Sequence, residues 1–273
     1  MPELPEVETT RRGLEPLLVG RRISGAVVRN AALRWPVAPE LTARLPGAAI
    51  TAVGRRAKYL LLKTDRGHLL LHLGMSGSLR VLPAIAPPEK HDHVDILLDD
   101  GQCLRLRDPR RFGSILYAGE YPASHALLRK LGPEPLDTDA QALGFHLHAA
   151  SRSRRVAVKL FLMDAGVVVG VGNIYASEAL FRAGIRPSKP AADLSRPACV
   201  RLAAVIQAVL AEAIAAGGTT LRDFSNSDGL PGYFAQELAV YGRAGAPCRA
   251  CATPIRERRM GQRSTFWCPL CQR

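Results

Sequence analysis

Asp92-His93-Val94-Asp95-Ile96-Leu97-Leu98-Asp99-Asp100-Gly101-Gln102-Cys103-Leu104-Arg105-Leu106-Arg107 is the stretch that decides the fold. Two short apolar-patterned runs flank Asp-Asp-Gly, a turn tripeptide whose glycine tolerates positive φ, so the segment predicts a β-hairpin over Asp92–Leu98 and Gln102–Arg107. Upstream, Ile23–Val28, Ala49–Val53, Tyr59–Lys63, His68–Leu73 and Leu79–Leu82 repeat the same short, punctuated pattern. Strands at this spacing predict a β-sandwich or barrel. Ahead of them, Val7, Leu14, Leu17 and Leu18 recur among charged residues from Pro5 to about Val19, with Gly20 as a stop, which predicts a helix laid across the sheets.

Downstream of Lys130-Leu131-Gly132-Pro133-Glu134-Pro135-Leu136, read as a linker, the period becomes helical. Val156–Met163 carries helix-spaced apolar residues, Asn173 is the expected cap of a helix through Phe181, and Ser195 that of a helix stopped by Gly217-Gly218. From Gly242 the helical signal ends. The expected organisation is therefore three parts: residues 1–133, 134–241 and 242–273.

The balance of 37 Lys+Arg against 24 Asp+Glu gives a formal charge of +13, which points to a polyanionic partner, nucleic acid first. No run of apolar residues is read as approaching a bilayer span, and no basic segment followed by an apolar core marks a signal peptide. A cytoplasmic location, on the nucleoid through DNA, is the default expectation.

Four of the six cysteines fall in the last 26 residues as Cys248-x-x-Cys251 and Cys268-x-x-Cys271, 16 residues apart. This spacing predicts one tetrahedral four-thiolate zinc with no open position, hence structural; free thiols or a disulfide are the alternative. Between the pairs lie Arg256, Arg258, Arg259, Arg263 and Phe266, suited to phosphate contact. Cys103 and Cys199 are isolated and expected to pack as small apolar groups.

At the other end, Met1-Pro2-Glu3-Leu4-Pro5-Glu6-Val7-Glu8 has two readings. Proline and acidic residues suit the first turn of a helix, and taken alone that is the simpler reading. Once Met1 is removed, however, Pro2 offers a secondary amine that titrates near about 8, partly unprotonated at neutral pH. Its attack on a sugar's anomeric carbon gives a permanently charged iminium, with Glu3 beside it to move protons.

Other segments are ambiguous alone. Lys58 is a solvated charge unless the fold brings it to Pro2. Met75, in Leu73-Gly74-Met75-Ser76-Gly77, is loose core or a wedge. Asp108-Pro109-Arg110-Arg111-Phe112-Gly113 offers a guanidinium for a base edge and a ring for the stack. His91 and His93 alternate on a strand and suit phosphate contact or core hydrogen bonds better than a second metal. Ser151-Arg152-Ser153-Arg154-Arg155 suits a phosphate clamp or a solvated face. Gly170-Val171-Gly172-Asn173 lacks the lysine and Ser/Thr of a Walker loop, so no nucleotide cofactor is expected.

In order along the chain, Pro2 to Glu8, Lys58, His72 to Gly77, Lys90 to Asp95, Asp108 to Gly113, Gly172 to Glu178 and the four-cysteine tail resemble the bacterial formamidopyrimidine-DNA glycosylase family, essentially end to end. The resemblance implies an N-terminal β-sandwich with flanking helices, a helix–two-turns–helix domain and a zinc finger, with damaged double-stranded DNA in a cleft between. It implies Pro2 as the Schiff-base nucleophile, Glu3 as acid/base, Lys58 in β-elimination and Arg263 in δ-elimination. His91, Arg110, Arg154, Asn173 and Arg263 would contact phosphates or the opposite strand. Met75, Arg110 and Phe112 would fill the gap left by the extruded nucleotide. Glu6 and the Ser225–Tyr233 loop would surround the damaged base, and a monomer would suffice. The rivals are an endonuclease VIII-like enzyme for oxidised pyrimidines, disfavoured by Leu4 and the Arg110/Phe112 turn, and a non-catalytic DNA-bending zinc protein, which has no use for a free proline beside an acid.

Overall fold

The first helix, α1 (Leu4–Leu18), starts in a capping box: Glu3 is the N-cap, and the Glu6 carboxylate accepts the Glu3 backbone N–H at 2.7 Å. Its apolar stripe, Val7, Leu14 and Leu18, is buried, and Gly20 leaves the helix at φ +89°. In the computed structural model, which describes residues 2–218 and 238–273, α1 belongs to the first of two compact units. That unit holds the chain through Arg129 with Ala216–Gly218; the second holds Lys130–Ala215 and the chain from Leu238 on.

The first unit contains β1 (Ile23–Val28), the short helix α2 (Glu40–Ala43), β2 (Ile50–Arg56), β3 (Tyr59–Thr64), β4 (Gly67–His72), β5 (Ser78–Pro83), β6 (Asp92–Leu98), β7 (Gln102–Arg107) and β8 (Ser114–Gly119). They make two four-stranded antiparallel sheets, β1-β6-β7-β5 and β2-β3-β4-β8. The expected hairpin is present: Val94 faces Leu106, Ile96 faces Leu104, and Gly101 turns at φ +80°. Leu79, Val94, Ile96, Leu104 and Leu106 of one sheet meet Leu60, Leu62, Leu69, Leu71 and Ile115 of the other in a single core, which Val7, Leu14 and Leu18 join. Each such side chain, fully buried, contributes about 1.5–3 kcal/mol.

The second unit carries α3 (Ala140–Ser151), α4 (Val158–Met163), α5 (Asn173–Arg182), α6 (Arg196–Ala215) and the hairpin β9 (Arg256–Met260) with β10 (Arg263–Trp267). The reading of the sequence lacked α2, α3 and β8. Asn173 is the first helical residue of α5 and Gly172 is the cap, so the expected Asn173 cap is corrected. The α6 helix also corrects the expectation about bilayer spans, since by length and composition it is long and apolar enough to cross a membrane. Its Leu202, Ile206, Val209 and Leu210 are buried, and it packs on α3 and α5 as a core helix does.

Candidate active site and nucleic-acid interface

Ion pairs align α1 with β2. The Arg11 guanidinium donates to the Val53 carbonyl at 3.2 Å, and Arg55 pairs with Glu8 at 3.1 Å. Burial works to raise the Glu8 pKa, but hydrogen bonds from Arg11, Arg12 and Arg55 outweigh it and hold the carboxyl below its ordinary value. Going back three residues in the helix thus goes forward two in the strand, about 4.5 Å against about 6.6 Å. Continued, this register carries the helix N-terminus toward the β2–β3 turn, which is Ala57-Lys58. Pro2 and Glu3, buried at that end, and half-buried Lys58 are therefore on the same side of the unit. Ala57 sits at φ 54°, a conformation costing about 1–2 kcal/mol for a residue with a Cβ, and the strained turn holds Lys58 at the end of the hairpin.

His72, at the end of β4, belongs to the same neighbourhood and was missed in the sequence. Its Nδ1 accepts the Gly74 N–H at 3.0 Å, and its ring lies 4.8 Å from that of Tyr59. Burial, then the charges of Lys58 and Arg34, pull its pKa down to about 4. A neutral imidazole beside two cations is the result. The available signal was its place in His72-Leu73-Gly74-Met75.

Asp108 ties the two wedge candidates together. Fully buried, it accepts from Ser76 Oγ at 2.8 Å, from the Gly113 N–H at 2.7 Å and from the Arg110 N–H at 3.3 Å. Ser76 Oγ in turn accepts the Arg110 N–H at 3.1 Å. Gly74, at φ +64°, lies so close to the other turn that a methyl group there would sit 2.3 Å from the Phe112 carbonyl carbon. Hence Met75, Arg110 and Phe112 stand on one braced pair of turns. Phe112 is 43% exposed, and the Arg110 guanidinium lies 5.2 Å from its ring centroid. His91 is half-buried; His93 is buried with Nε2 bonded to the Asp108 carbonyl at 2.9 Å, a core hydrogen bond.

Glu6 is fully buried, and a methyl group on Gly218 would meet its Cγ and Oε1 at 3.4 Å. The expected base-pocket loop Ser225–Tyr233 lies outside the described residues.

In the second unit, Arg154 is exposed and paired with Asp164 at 2.6 Å, an ion pair worth about 0–1 kcal/mol and thus readily exchanged for a phosphate. Asn173, at the start of α5, donates to the Tyr241 hydroxyl at 3.3 Å while its Oδ1 is buried without a hydrogen-bond partner among the described residues. Buried Glu178 accepts the N–H groups of Ala239, Val240 and Tyr241, which holds Tyr241 at that helix end. Arg263 is exposed at the start of β10, just after the Gly261-Gln262 turn, whose two positive φ values (53° and 64°) suit a two-residue hairpin.

The four cysteine sulfurs lie within 4.8 Å of one another, with pairs at 3.4, 3.5 and 3.9 Å. Tetrahedral zinc with Zn–S of about 2.3 Å requires S···S separations of about 3.8 Å. Ala250 and Cys271 N–H groups point at Cys248 and Cys268 sulfurs at 3.4 Å, which favours thiolates. The donor set fits one structural zinc, and it is the only His/Cys/Asp/Glu cluster with ligand spacing among the described residues. The module is seated by Gln272, which links the Cys268 N–H to the Ile185 carbonyl, and by fully buried Lys159, which donates to the Ser264 carbonyl and Thr265 Oγ1 at 2.8 Å.

Three family models match in chain order: the formamidopyrimidine-DNA glycosylase N-terminal domain at residues 1–115, the H2TH domain of the same enzymes at 131–225, and the zinc finger found in FPG and IleRS at 245–273. Formamidopyrimidine-DNA glycosylase of Alkalilimnicola ehrlichii is 62% identical over 279 residues, with both chains covered completely. The chain belongs to the formamidopyrimidine-DNA glycosylase family. The same-named protein of Thioalkalivibrio sulfidiphilus is 58% identical over 273 residues, again covering all of both chains. Among solved structures, the MutM (FPG) protein of Thermus thermophilus aligns with a TM-score of 0.88 at 41% identity, covering 99% of this chain and 98% of that one. A Lactococcus lactis FPG mutant bound to DNA containing Fapy-dG aligns at 0.90 with 34% identity over the whole of both chains.

Proposed function

We propose that this chain is a base-excision repair glycosylase that removes oxidised purines, 8-oxoguanine and formamidopyrimidines, from duplex DNA and then cuts the strand at the abasic site. The observation that carries the proposal is the buried Pro2-Glu3 terminus on a helix whose register along β2 runs toward the turn bearing Lys58, within a family fold whose solved members include complexes with Fapy-dG and abasic DNA. Damaged DNA is the partner, and the bacterial cytoplasm, on the nucleoid, is the proposed location.

A base within the stack is out of reach, so the nucleotide must be extruded, at a cost of a few kcal/mol that is least for damaged pairs. Met75, Arg110 and Phe112 occupy the gap, with Arg110 toward the orphaned cytosine. After loss of Met1, the Pro2 nitrogen bonds to C1′ and the glycosidic bond breaks, the base leaving with a proton. Glu3 protonates the sugar oxygen as the ring opens, which leaves the iminium between Pro2 and C1′. Lys58 assists removal of the C2′ proton, the electron pair flows toward the iminium, and the 3′ phosphate is expelled. A second proton loss, assisted by Arg263, expels the 5′ phosphate. No electron is gained or lost overall, so the chain's own residues suffice. His91, Arg154 and Asn173 hold the DNA backbone, and Glu6 lies at the damaged base.

Zinc, held by Cys248, Cys251, Cys268 and Cys271, takes no part in the bond changes; it folds the hairpin that presents Arg263. The test is incubation with duplexes carrying 8-oxoguanine opposite cytosine or thymine glycol opposite adenine. Preferred release of 8-oxoguanine with both phosphates left on the flanking ends is expected. Preference for thymine glycol would favour the endonuclease VIII type, and no cutting of either would favour a DNA-bending protein.

A further inference from the structure

We infer that Arg34 and Trp35 form a further DNA-binding arm beside the wedge, Arg34 seating a backbone phosphate and Trp35 packing on a sugar–base face of the same duplex. The inference rests on the glycosylase reading, since it takes the lesion-bearing duplex as the ligand.

The segment between β1 and α2 doubles back through a bridge from Ala32 to Pro36. Its tip is fastened to the wedge turn, because the Arg34 N–H donates to the Gly113 carbonyl and the Ala38 N–H to the Ile115 carbonyl, each at 3.1 Å. Trp35 therefore stands on backbone bonded next to Phe112. It is 46% exposed, close to the 43% of Phe112, and makes no ring contact among the described residues. An exposed indole on a braced loop has the character of a stacking platform rather than of core.

Arg34 differs from seven other arginines of its unit. Arg11, Arg12, Arg21, Arg29, Arg55, Arg105 and Arg107 are each paired with a carboxylate. The exposed Arg34 guanidinium has no hydrogen bond or ion pair among the described residues. Its charge nevertheless acts on Tyr59 and His72, which places it on the Lys58 side of the sheet. Both oxygens of nearby Asp108 are taken by Ser76, Arg110 and Gly113, so that carboxylate is already engaged and does not pair with Arg34 among the described residues. An unpaired guanidinium followed by an exposed ring, continuous with the wedge, in a chain of net charge +13, matches a ligand with regularly spaced phosphates and flat apolar faces.

Arg34→Ala, Arg34→Gln and Trp35→Ala are made in the full-length zinc-loaded chain, and binding to a duplex with a tetrahydrofuran abasic analogue is followed by fluorescence anisotropy over a salt series. Both Arg34 variants are expected to bind about five- to ten-fold more weakly and to lower the slope of log K against log salt by about 0.9. Trp35→Ala is expected to weaken binding by at least about five-fold with the slope unchanged. Each side chain is exposed, so urea midpoints should stay within experimental error of the parent. Unaltered affinity and slope in all three variants would overturn the inference, as would losses matched by a fall in urea midpoint in every variant. If the parent chain cuts 8-oxoguanine duplexes while the variants bind normally, only the arm fails; if the parent cuts no damaged duplex, the glycosylase reading fails with it.

Discussion

Replacing Asp108 by Asn tests whether the wedge is a braced unit. The carboxylate is fully buried and accepts two short bonds, from Gly113 N at 2.7 Å and Ser76 Oγ at 2.8 Å, plus a longer one from Arg110 N at 3.3 Å. Bonds to a charged acceptor contribute about 1.5–3 kcal/mol each and neutral ones about 1 kcal/mol. Asn has one acceptor oxygen. If that oxygen keeps Gly113, its NH₂ meets Ser76 Oγ, which must turn to accept and then competes with the Arg110 N–H. Weakening two charged bonds and losing the third amounts to about 2–3 kcal/mol. Part of this will appear as lower stability in urea and part as a looser Met75–Arg110–Phe112 wedge. Single-turnover release of 8-oxoguanine from duplex should fall about 10- to 30-fold, equivalent to about 1.4–2 kcal/mol. Cutting at a preformed abasic site in single-stranded DNA, which needs no base extruded, should change by no more than about two-fold. Full duplex activity, or equal losses on both substrates, would refute the reasoning.

Three further outcomes follow from the geometry. Gly74→Ala places a methyl group 2.3 Å from backbone in the other turn and at φ +64°; it should destabilise by about 2–4 kcal/mol, measured by urea unfolding, and abolish duplex cutting. Because His72 is depressed from 6.5 to about 4, it takes up a proton more readily unfolded than folded. Its contribution is complete above pH 6.5 and is lost as pH falls toward 4, so His72→Asn should flatten the urea midpoint against pH over that window while leaving acid unfolding by Glu8 and Asp95 in place. Stripping zinc with a strong chelator removes binding worth about 10–16 kcal/mol. One zinc per chain should be released by metal analysis, and duplex cutting should fail until zinc is restored.

Much of the first unit was legible in the sequence because its signals are local. The β6–β7 hairpin and β1 have the expected limits, and α1 runs within a residue of them. By contrast α3 was missed although Asp139 caps it by accepting from the Gln141 and Ala142 N–H groups; its Gly144 and paired histidines blur the helical period. The strand β8 was missed because Ser114 follows directly on the Asp108–Gly113 turn and alternates only weakly.

The cysteine spacing announced a tetrahedral site in advance, since four thiolates at two Cys-x-x-Cys pairs need little else from the fold. The bracing of Met75 against Phe112 was not legible, because Ser76 and Asp108 are 32 residues apart. The same holds for His72, whose neutral state arises from burial and from two cations, Lys58 in the β2–β3 turn and Arg34 in the segment between β1 and α2. Asn173 was placed on the right helix but at the wrong position, because glycine is also a competent cap. The α6 helix shows the opposite error, a core helix apolar enough to read as a bilayer span once its limits are known.

The central claim is that the Pro2 nitrogen, at the start of the mature chain, becomes bonded to the deoxyribose of the damaged nucleotide. Borohydride reduction during reaction with an 8-oxoguanine duplex, followed by digestion and mass analysis of the cross-linked peptide, tests it most directly. A reduced adduct on the peptide beginning at Pro2 is the predicted result. An adduct on Lys58 instead, or base release with no trapped protein, would contradict it.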